Sequence, residues 1–404
     1  MEYFTYTCRQ IIYTLLVLTF FYSVESSSMD LIQKVIEIDN HKYKIKLPKG
    51  YVLELLTDDM DSPRMFSFDQ NGILFIGSKS GNVYRLEPPY DKPSVFTFMD
   101  NYPHSISFKD RSIYIAETDA IKKADYHSEL TSIKPENFSV VTDLPGGGGH
   151  SSRTIARGPD NKLYVSLGIT GNCSNEFMSK QYAFQNRRGG VFVLDESIAP
   201  SKLNIFASGL RNPVGFDWHP DTHIMYASNN GPDHHGFENP PEYFSEITKN
   251  SFHGMPWYQF SGKKMFRDNC IKSKPPFDIS EAQIPVVTFP ARNAPMGVSF
   301  IADGSALKDI TQGAVVALRG SWATKPSWNY KTAAASRRKP KLVIVHFDKG
   351  HQVTGVSNLL TGFQLENGNR WARPVGVGTG PDGALYFTSD SGVNGLFRIR
   401  KINE

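Results

Sequence analysis

The chain has 404 residues, of which 40% are hydrophobic and 21% are charged, and its formal net charge is +4. This composition excludes an intrinsically disordered chain and provides ample material for a hydrophobic core. The densest basic cluster, Arg337-Arg338-Lys339 with Lys341, is short and isolated, so the sequence does not predict a nucleic-acid-binding protein.

The first predicted element is a secretory signal over residues 1–28. Arg9 precedes an apolar run at 11–22, and small residues follow at 26–28. The run is shorter than the about 20 residues that a membrane span needs, and an uncleaved signal anchor is the alternative. No later stretch is apolar enough to cross a bilayer. The sequence therefore predicts a secreted or periplasmic protein.

From residue 40 to residue 402, one turn-and-strand pattern recurs. A turn rich in Asp, Asn, Pro or Gly precedes a strand with Leu or Ile, an aromatic residue and a small or β-branched residue. Clear copies lie at 69–77, 109–116, 159–165, 220–227 and 381–388, and a weaker copy lies at 313–318. Repeats at intervals of about 40 residues or more are typical of propeller blades. The sequence predicts an all-β fold, a single six-bladed β-propeller; a large β-sandwich is the alternative.

A propeller closes when its two chain ends share one blade, which leaves no open sheet edge. The strand-like segments 43–47 and 51–55 are both candidates to pair with 396–399. The long segment 233–285 is predicted to be an insertion on one face, of the kind that lines a site.

A glycine run at 146–149 ends in His150, directly before a predicted strand. Glycines permit sharp backbone turns, and an imidazole titrates near neutral pH, so this histidine is suited to proton transfer. A surface histidine beside a flexible loop is the alternative. A phosphate-binding loop is disfavoured because no Gly-Lys-Ser/Thr follows the glycines.

Equivalent loops of successive blades project to the same face, so residues at matching positions should surround one mouth of the channel. The repeat alignment places these residues there: Arg64, His104, His150, the stretch 209–215, Asn293 and Arg373. Several arginines around one funnel predict a ligand with carboxylates or phosphates, which guanidinium groups bind in bidentate fashion.

The turn at 229–236 is rich in oxygen donors, which suits calcium. It also contains His234 and His235, but adjacent histidines without a third ligand at suitable spacing usually face solvent, so zinc is disfavoured. Cys8 lies in the predicted signal, and Cys173 and Cys270 are able to form one disulfide in an oxidising compartment.

The chain resembles the soluble quinoprotein glucose and sorbosone dehydrogenase family over nearly everything after the signal. The resemblance is carried by the stretches 150–164, 209–220, 239–243, 293–297, 320–322, 373–376 and 380–383. Members of that family are six-bladed propellers that bind pyrroloquinoline quinone (PQQ) and calcium and oxidise sugars or related compounds. The resemblance implies the same fold and cofactors here.

The resemblance also implies roles for individual residues. His150 matches the general base that takes the substrate's hydroxyl proton, and Arg211 matches the arginine that stabilises charge on the quinone oxygen. Cofactor contacts are implied for Asn212, Arg373, Arg319 and Arg64. The carbonyls of Gly231 and Pro232 match the positions that hold calcium.

The sequence departs from the family at several positions. Gly171-Asn172-Cys173-Ser174 stands where sorbosone-like members often have Cys-Asn-x-Cys, and Arg292-Asn293 stands where they often have His-Ser. Arg157 replaces an apolar residue before Gly-Pro-Asp. None of these departures removes the implied base, His150, or its arginine partner, Arg211. They bear mainly on which substrate the protein would oxidise.

The sequence therefore predicts a PQQ-dependent sugar dehydrogenase that passes electrons to an external acceptor, a quinone or a small cytochrome. No Cys-x-x-Cys-His motif supplies a haem. Two alternatives remain: a non-catalytic propeller that binds a protein or glycan, and a calcium-dependent lactonase-like hydrolase.

Overall fold

A computed structural model describes residues 29–198, 201–326 and 333–402. The predicted signal, residues 1–28, lies outside this part of the chain. The described residues form an all-β six-bladed propeller, as predicted, with four antiparallel strands in each blade. Within the described ranges, no helix is long and apolar enough to span a membrane.

The first three blades follow one another without interruption in the chain. Their strands are, in blade 1, β4 (Pro63–Phe68), β5 (Leu74–Ser78), β6 (Asn82–Leu86) and β7 (Ser94–Phe98); in blade 2, β8 (Ser105–Lys109), β9 (Ser112–Ala116), β10 (Ala120–Asp125) and β11 (Ser139–Asp143); and in blade 3, β12 (Arg153–Arg157), β13 (Leu163–Leu167), β14 (Gly190–Asp195) and β15 (Lys202–Ser208).

The other three blades contain an insertion and the ring closure. Their strands are, in blade 4, β16 (Phe216–Trp218), β17 (Met225–Asn229), β18 (Glu242–Ile247) and β21 (Val287–Phe289); in blade 5, β22 (Pro295–Phe300), β23 (Ala314–Leu318), β24 (Lys341–Phe347) and β25 (Val353–Leu360); and in blade 6, β26 (Pro374–Thr379), β27 (Leu385–Ser391), β28 (Val393–Lys401) and β3 (Tyr51–Thr57). Among the residues that the structure describes, four short 3₁₀ helices lie at Pro135–Asn137, Phe184–Asn186, Ile279–Glu281 and Ala334–Ser336.

Each copy of the recurring pattern forms the second strand of a blade, including the weaker copy, which forms β23. Second strands are buried on both faces because neighbouring blades cover them. In β5 all five residues are buried, and the ring of Phe75 makes edge contacts with Phe96 and Phe108. Burying one such phenylalanine contributes about 2–3 kcal/mol.

The ring closes through β3, which pairs with β28 in a register that places Leu53 opposite Ile399 and Thr57 opposite Leu396. Of the two predicted closing segments, 51–55 is therefore the one used. The other segment lies in β2 (His41–Pro48), which forms a hairpin with β1 (Leu31–Ile38) and bridges to blade 5 at Thr361.

First strands of neighbouring blades, such as β8 and β12 or β22 and β26, contact one another around the channel. Three glycines permit this close approach. A Cβ on Gly215 would lie 2.1 Å from the Met296 carbonyl oxygen, and one on Gly297 would lie 2.6 Å from that of Val375. One on Gly376 would lie 2.7 Å from that of Arg64. Larger side chains here would push the innermost strands apart.

Part of the segment 233–285, predicted as an insertion, is instead a blade strand, since Glu242–Ile247 form β18 of blade 4. The insertion leaves the blade after β18 and carries the hairpin of β19 (Tyr258–Phe260) and β20 (Met265–Arg267). A disulfide between Cys173 and Cys270 joins it to the loop that follows β13. The insertion is thereby tied to blade 3, beside the loop that carries His150.

Candidate active site

In an antiparallel blade the first strand begins at the same end of the channel where the second strand finishes. This end collects the predicted residues: Arg64 in β4, His104 before β8, His150 before β12, Arg211 and Asn212 before β16, Asn293 before β22 and Arg373 before β26. Arg319 and the 230–236 loop follow second strands at that end. A cavity of about 610 Å³ lies toward the opposite ends, beside Phe68, Lys109 and Trp218. It is lined by Gly215 of the predicted stretch 209–215, but by none of the predicted arginines Arg64, Arg211, Arg319 and Arg373.

Three of the predicted arginines surround one carboxylate. Arg64 forms an ion pair with Asp390 in β27, and Arg319 Nε donates to the same carboxylate at 2.8 Å. Arg373 donates to the carbonyl oxygens of Arg319 (3.1 Å) and Gly320, and within the described ranges it forms no ion pair with a carboxylate. The cluster thus carries more positive charge than Asp390 neutralises.

The pKa values of groups in and near this arginine cluster reflect its excess positive charge. Burial, and then the neighbouring charges of Arg319 and Arg370, lower the pKa of Arg373 to about 9. Burial and the charge of Arg64 lower the pKa of Lys79 nearby. The buried Nε of Arg64 has no hydrogen-bond partner among the described residues. An anionic ligand would relieve the repulsion and satisfy unpaired donors.

His150 lies in a loop whose shape depends on glycine. Gly149 has φ +78°, and a Cβ on it would meet the Thr170 carbonyl oxygen at 1.9 Å. The imidazole Nδ1–H donates to the carbonyl of Ile169, which leaves Nε2 as a proton acceptor. Burial, and then the charge of Arg211, lower the pKa of His150 to about 4. At neutral pH this histidine is therefore an uncharged base.

Two buried arginines that sequence reasoning missed hold this loop. Arg153 Nη1 donates to the His150 carbonyl at 2.8 Å, and Arg188 Nη2 donates to it at 3.0 Å. Arg188 also donates to the carbonyl of Gly148 and to Thr170 Oγ1. In the sequence, the one feature that points to a role for Arg153 is its position three residues after His150. For Arg188 the one such feature is its position directly before a pair of glycines.

Arg211 is 5% exposed and is close enough to His150 for its charge to lower the pKa of that histidine. Its Nη2 donates to Asn172 Oδ1 at 2.7 Å and to Asp233 Oδ2 at 3.0 Å, while its Nε has no partner among the described residues. The backbone N–H of Asn212 donates to Asn229 Oδ1 at 2.9 Å. Gly168 separates His150 from Asn212, since a Cβ there would contact both side chains.

The arginine cluster around Asp390 and the residues around His150 belong to one network of contacts. Arg64 Nη2 lies 3.4 Å from His104 Nε2, and His104 Nδ1 lies 3.1 Å from the Arg153 carbonyl. Burial and the charge of Arg64 hold the pKa of His104 well below its usual range, so this histidine is neutral. Arg153 in turn holds the His150 loop. The arginine cluster and the candidate base are thus linked by contacts through blades 1 to 3.

The loop predicted to hold calcium is occupied by a guanidinium. Arg292, which is 3% exposed, donates to the carbonyls of Pro232, Gly236 and Asn239, and its Nη1 lies 3.5 Å from Asp233 Oδ1. The Gly231 N–H donates to Glu242, whose pKa burial raises to about 7. The carbonyls of a calcium site must face the ion, so this arrangement does not fit calcium at Pro232.

Comparisons with known proteins agree with this fold. A family model described as TrAA12-like matches residues 45–240 and 253–400. An uncharacterised protein of Borreliella burgdorferi is 28% identical over 378 residues, which cover 88% of this chain and 90% of that protein.

Two solved structures are similar in fold. The holo PQQ domain of Coprinopsis cinerea pyranose dehydrogenase has a TM-score of 0.71 at 18% identity and covers 91% of this chain and 98% of its own. A calcium structure of the Family AA12 carbohydrate-active enzyme of Trichoderma reesei has a TM-score of 0.71 at 17% identity, covering 88% and 96%. Together with the family match, these likenesses confirm the resemblance predicted from the sequence.

Proposed function

Because the chain belongs to the TrAA12-like family, we propose that it is a PQQ-dependent dehydrogenase of an aldose sugar or a related polyol or aldehyde. The observation that carries this proposal is the arginine cluster of Arg64, Arg319 and Arg373 around the single carboxylate of Asp390, in the same network as a neutral histidine. A relative in fold holds PQQ in its own structure, which supports the same cofactor here.

The arginine cluster would hold the three carboxylates of PQQ, because guanidinium groups form short, charge-assisted hydrogen bonds to carboxylates. The unpaired Nε atoms of Arg64 and Arg211 and the excess positive charge fit such an anion. PQQ, when bound, supplies a carbonyl group that accepts hydride from the substrate carbon. Asn212, beside His150, is the remaining predicted contact to the cofactor.

His150 would take the hydroxyl proton of the substrate on Nε2. Its Nδ1–H is held by the Ile169 carbonyl, which fixes both the tautomer and the ring orientation. Arg211 would stabilise negative charge that develops near His150, and its own position is fixed by Asn172 and Asp233. The electrons then leave to an external acceptor, for which a quinone or a small cytochrome is proposed.

Calcium at the Gly231 and Pro232 carbonyls stays a prediction. A calcium-containing relative in fold supports it, whereas the guanidinium of Arg292 on Pro232 argues against it. The proposed roles of His150 and Arg211 do not depend on this ion.

The test is a titration of purified protein with PQQ, with and without calcium, followed by absorbance and by dye reduction across a panel of aldoses. We expect binding at micromolar PQQ and sugar-dependent dye reduction. Arg373→Ala should weaken PQQ binding at least tenfold, while Arg400→Ala, an exposed arginine paired with Glu54, should leave it unchanged. Absence of binding at micromolar PQQ would overturn the proposal and favour the non-catalytic platform.

A further inference from the structure

We infer that His234, His235 and Asp268 form a binding site for one divalent late transition-metal ion, zinc or copper. The Nε2 atoms of both imidazoles lie 3.0 Å from the same carboxylate oxygen, Asp268 Oδ2. The three ligand atoms lie within 4.8 Å of one another. Asp268 supplies the third ligand that the adjacent histidines lack in the sequence.

The carboxylate of Asp268 is held in place before any ion binds. Its side chain is 4% exposed, its Oδ1 accepts the N–H of Cys270 at 3.0 Å, and its own N–H donates to the Trp257 carbonyl at 2.8 Å. The disulfide from Cys270 to Cys173 anchors this segment to blade 3. Partners of this kind orient a metal ligand and raise affinity.

The geometry needs little adjustment to accept a metal. Ligands at about 2.0–2.1 Å in a tetrahedron lie roughly 3.3 Å apart, close to the observed 3.0 Å between nitrogen and oxygen. The ring of His235 packs against the edge of Phe266, with centroids 5.5 Å apart, which limits its rotation. The ion would replace the two imidazole hydrogens that now point at Asp268.

The ligand set selects the class of metal. Two imidazoles and one carboxylate suit zinc and copper, whereas calcium and magnesium prefer oxygen ligands alone. Both histidine side chains are 27% exposed, so a fourth position on the ion would face solvent. Three protein ligands with one open position characterise zinc sites that bind water or a substrate.

Two other groups of similar composition are unsuited to metal. The sulfurs of Cys173 and Cys270 near His234 are joined in a disulfide and are not thiolate ligands. In the group of His219, Asp221 and His351, the His219 Nδ1 already accepts the N–H groups of Asp221 and Thr222. That second group therefore provides a matched control.

The inference is independent of the proposed function. The test uses the full chain without an affinity tag, stripped with chelator, with the disulfide intact. Calorimetric titration with zinc chloride or copper chloride should show one equivalent bound with a dissociation constant of about 10 μM or tighter, and the zinc-bound protein should melt at a higher temperature.

His235→Ala and, separately, Asp268→Asn should each weaken zinc binding at least tenfold, while His351→Ala should leave it unchanged. His234→Ala, which changes a partly exposed side chain, provides a second variant if Asp268→Asn does not fold. In the copper-bound protein, electron paramagnetic resonance should show hyperfine coupling to two nitrogens. The inference is overturned if zinc binds more weakly than about 10 μM or if His235→Ala binds it as tightly as the parent.

Discussion

The replacement Arg292→Ala tests whether a guanidinium stands in for a metal ion in the 232–239 loop. It removes hydrogen bonds to the carbonyls of Pro232, Gly236 and Asn239 and the charge beside Asp233. Hydrogen bonds from a charged donor contribute about 1.5–3 kcal/mol each, but water will reach part of the emptied space. We therefore expect a net loss of about 3–5 kcal/mol, the range for breaking a buried charge network.

The emptied loop would present carbonyl oxygens and the Asp233 carboxylate, a donor set that suits calcium. Calcium should then stabilise the variant by about 2.7 kcal/mol at a concentration of 100 times its dissociation constant, and the parent much less. Urea unfolding with and without calcium measures both effects. Arg187→Ala, which also removes a guanidinium from loop carbonyls, is the control and should not gain calcium dependence. Equal stabilisation of the parent and Arg292→Ala would refute the reasoning and favour calcium in the natural site.

Three further predictions concern the His150 loop. His150→Ala should lower dye reduction at least 100-fold while PQQ affinity changes less than threefold; a parallel loss of both would assign the histidine to cofactor binding instead. Gly149→Ala should cost more than about 2 kcal/mol in urea unfolding, because its φ is +78° and a Cβ would meet the Thr170 carbonyl oxygen; an unchanged midpoint would contradict that contact. In the protein without cofactor, NMR titration should place the pKa of His150 near 4. Since that pKa is below the unfolded value of about 6.5, the unfolded chain takes up a proton on His150 before the folded protein does. Acidification from pH 6.5 to 4 should therefore lower the free energy of unfolding, and His150→Gln should lose less stability over that window. A pKa near 6.5 would rule out the burial argument.

The blades were predictable because each second strand is a local signal, a turn followed by a short buried strand. The weakest copy, β23, lacks a Pro-Asp or Asn-Gly turn, but its strand consists of alanines and valines followed by Leu318, all of them buried. The closing strand was ambiguous because 43–47 and 51–55 have the same strand-like composition. Only pairing with β28, far along the chain, separates them, and local sequence does not encode that pairing.

For the site, matching loops of the blades predicted that Arg64, His150 and Arg373 share one end of the channel. The direction of the Arg292 side chain was not predictable, because it depends on carbonyls 53 to 60 residues away in the chain. Asp268 joins His234 through a contact 34 residues apart in sequence, beside a disulfide that spans 97 residues. Contacts between residues so far apart in the chain produce no periodic pattern in the sequence from which they could be predicted.

The pairing of β3 with β28 has a consequence for how the protein is made. Arg398 donates to Glu54, 344 residues earlier in the chain, and this contact belongs to the seam that completes the ring. At about 5–20 residues per second, a ribosome needs roughly 20–70 s to pass from β3 to β28. For that interval β3 is a strand without its final neighbour, and the last blade is incomplete. A premature stop between residues 361 and 392 would therefore release a chain with five complete blades and an incomplete sixth blade, whose unpaired strand edge makes the species prone to aggregation.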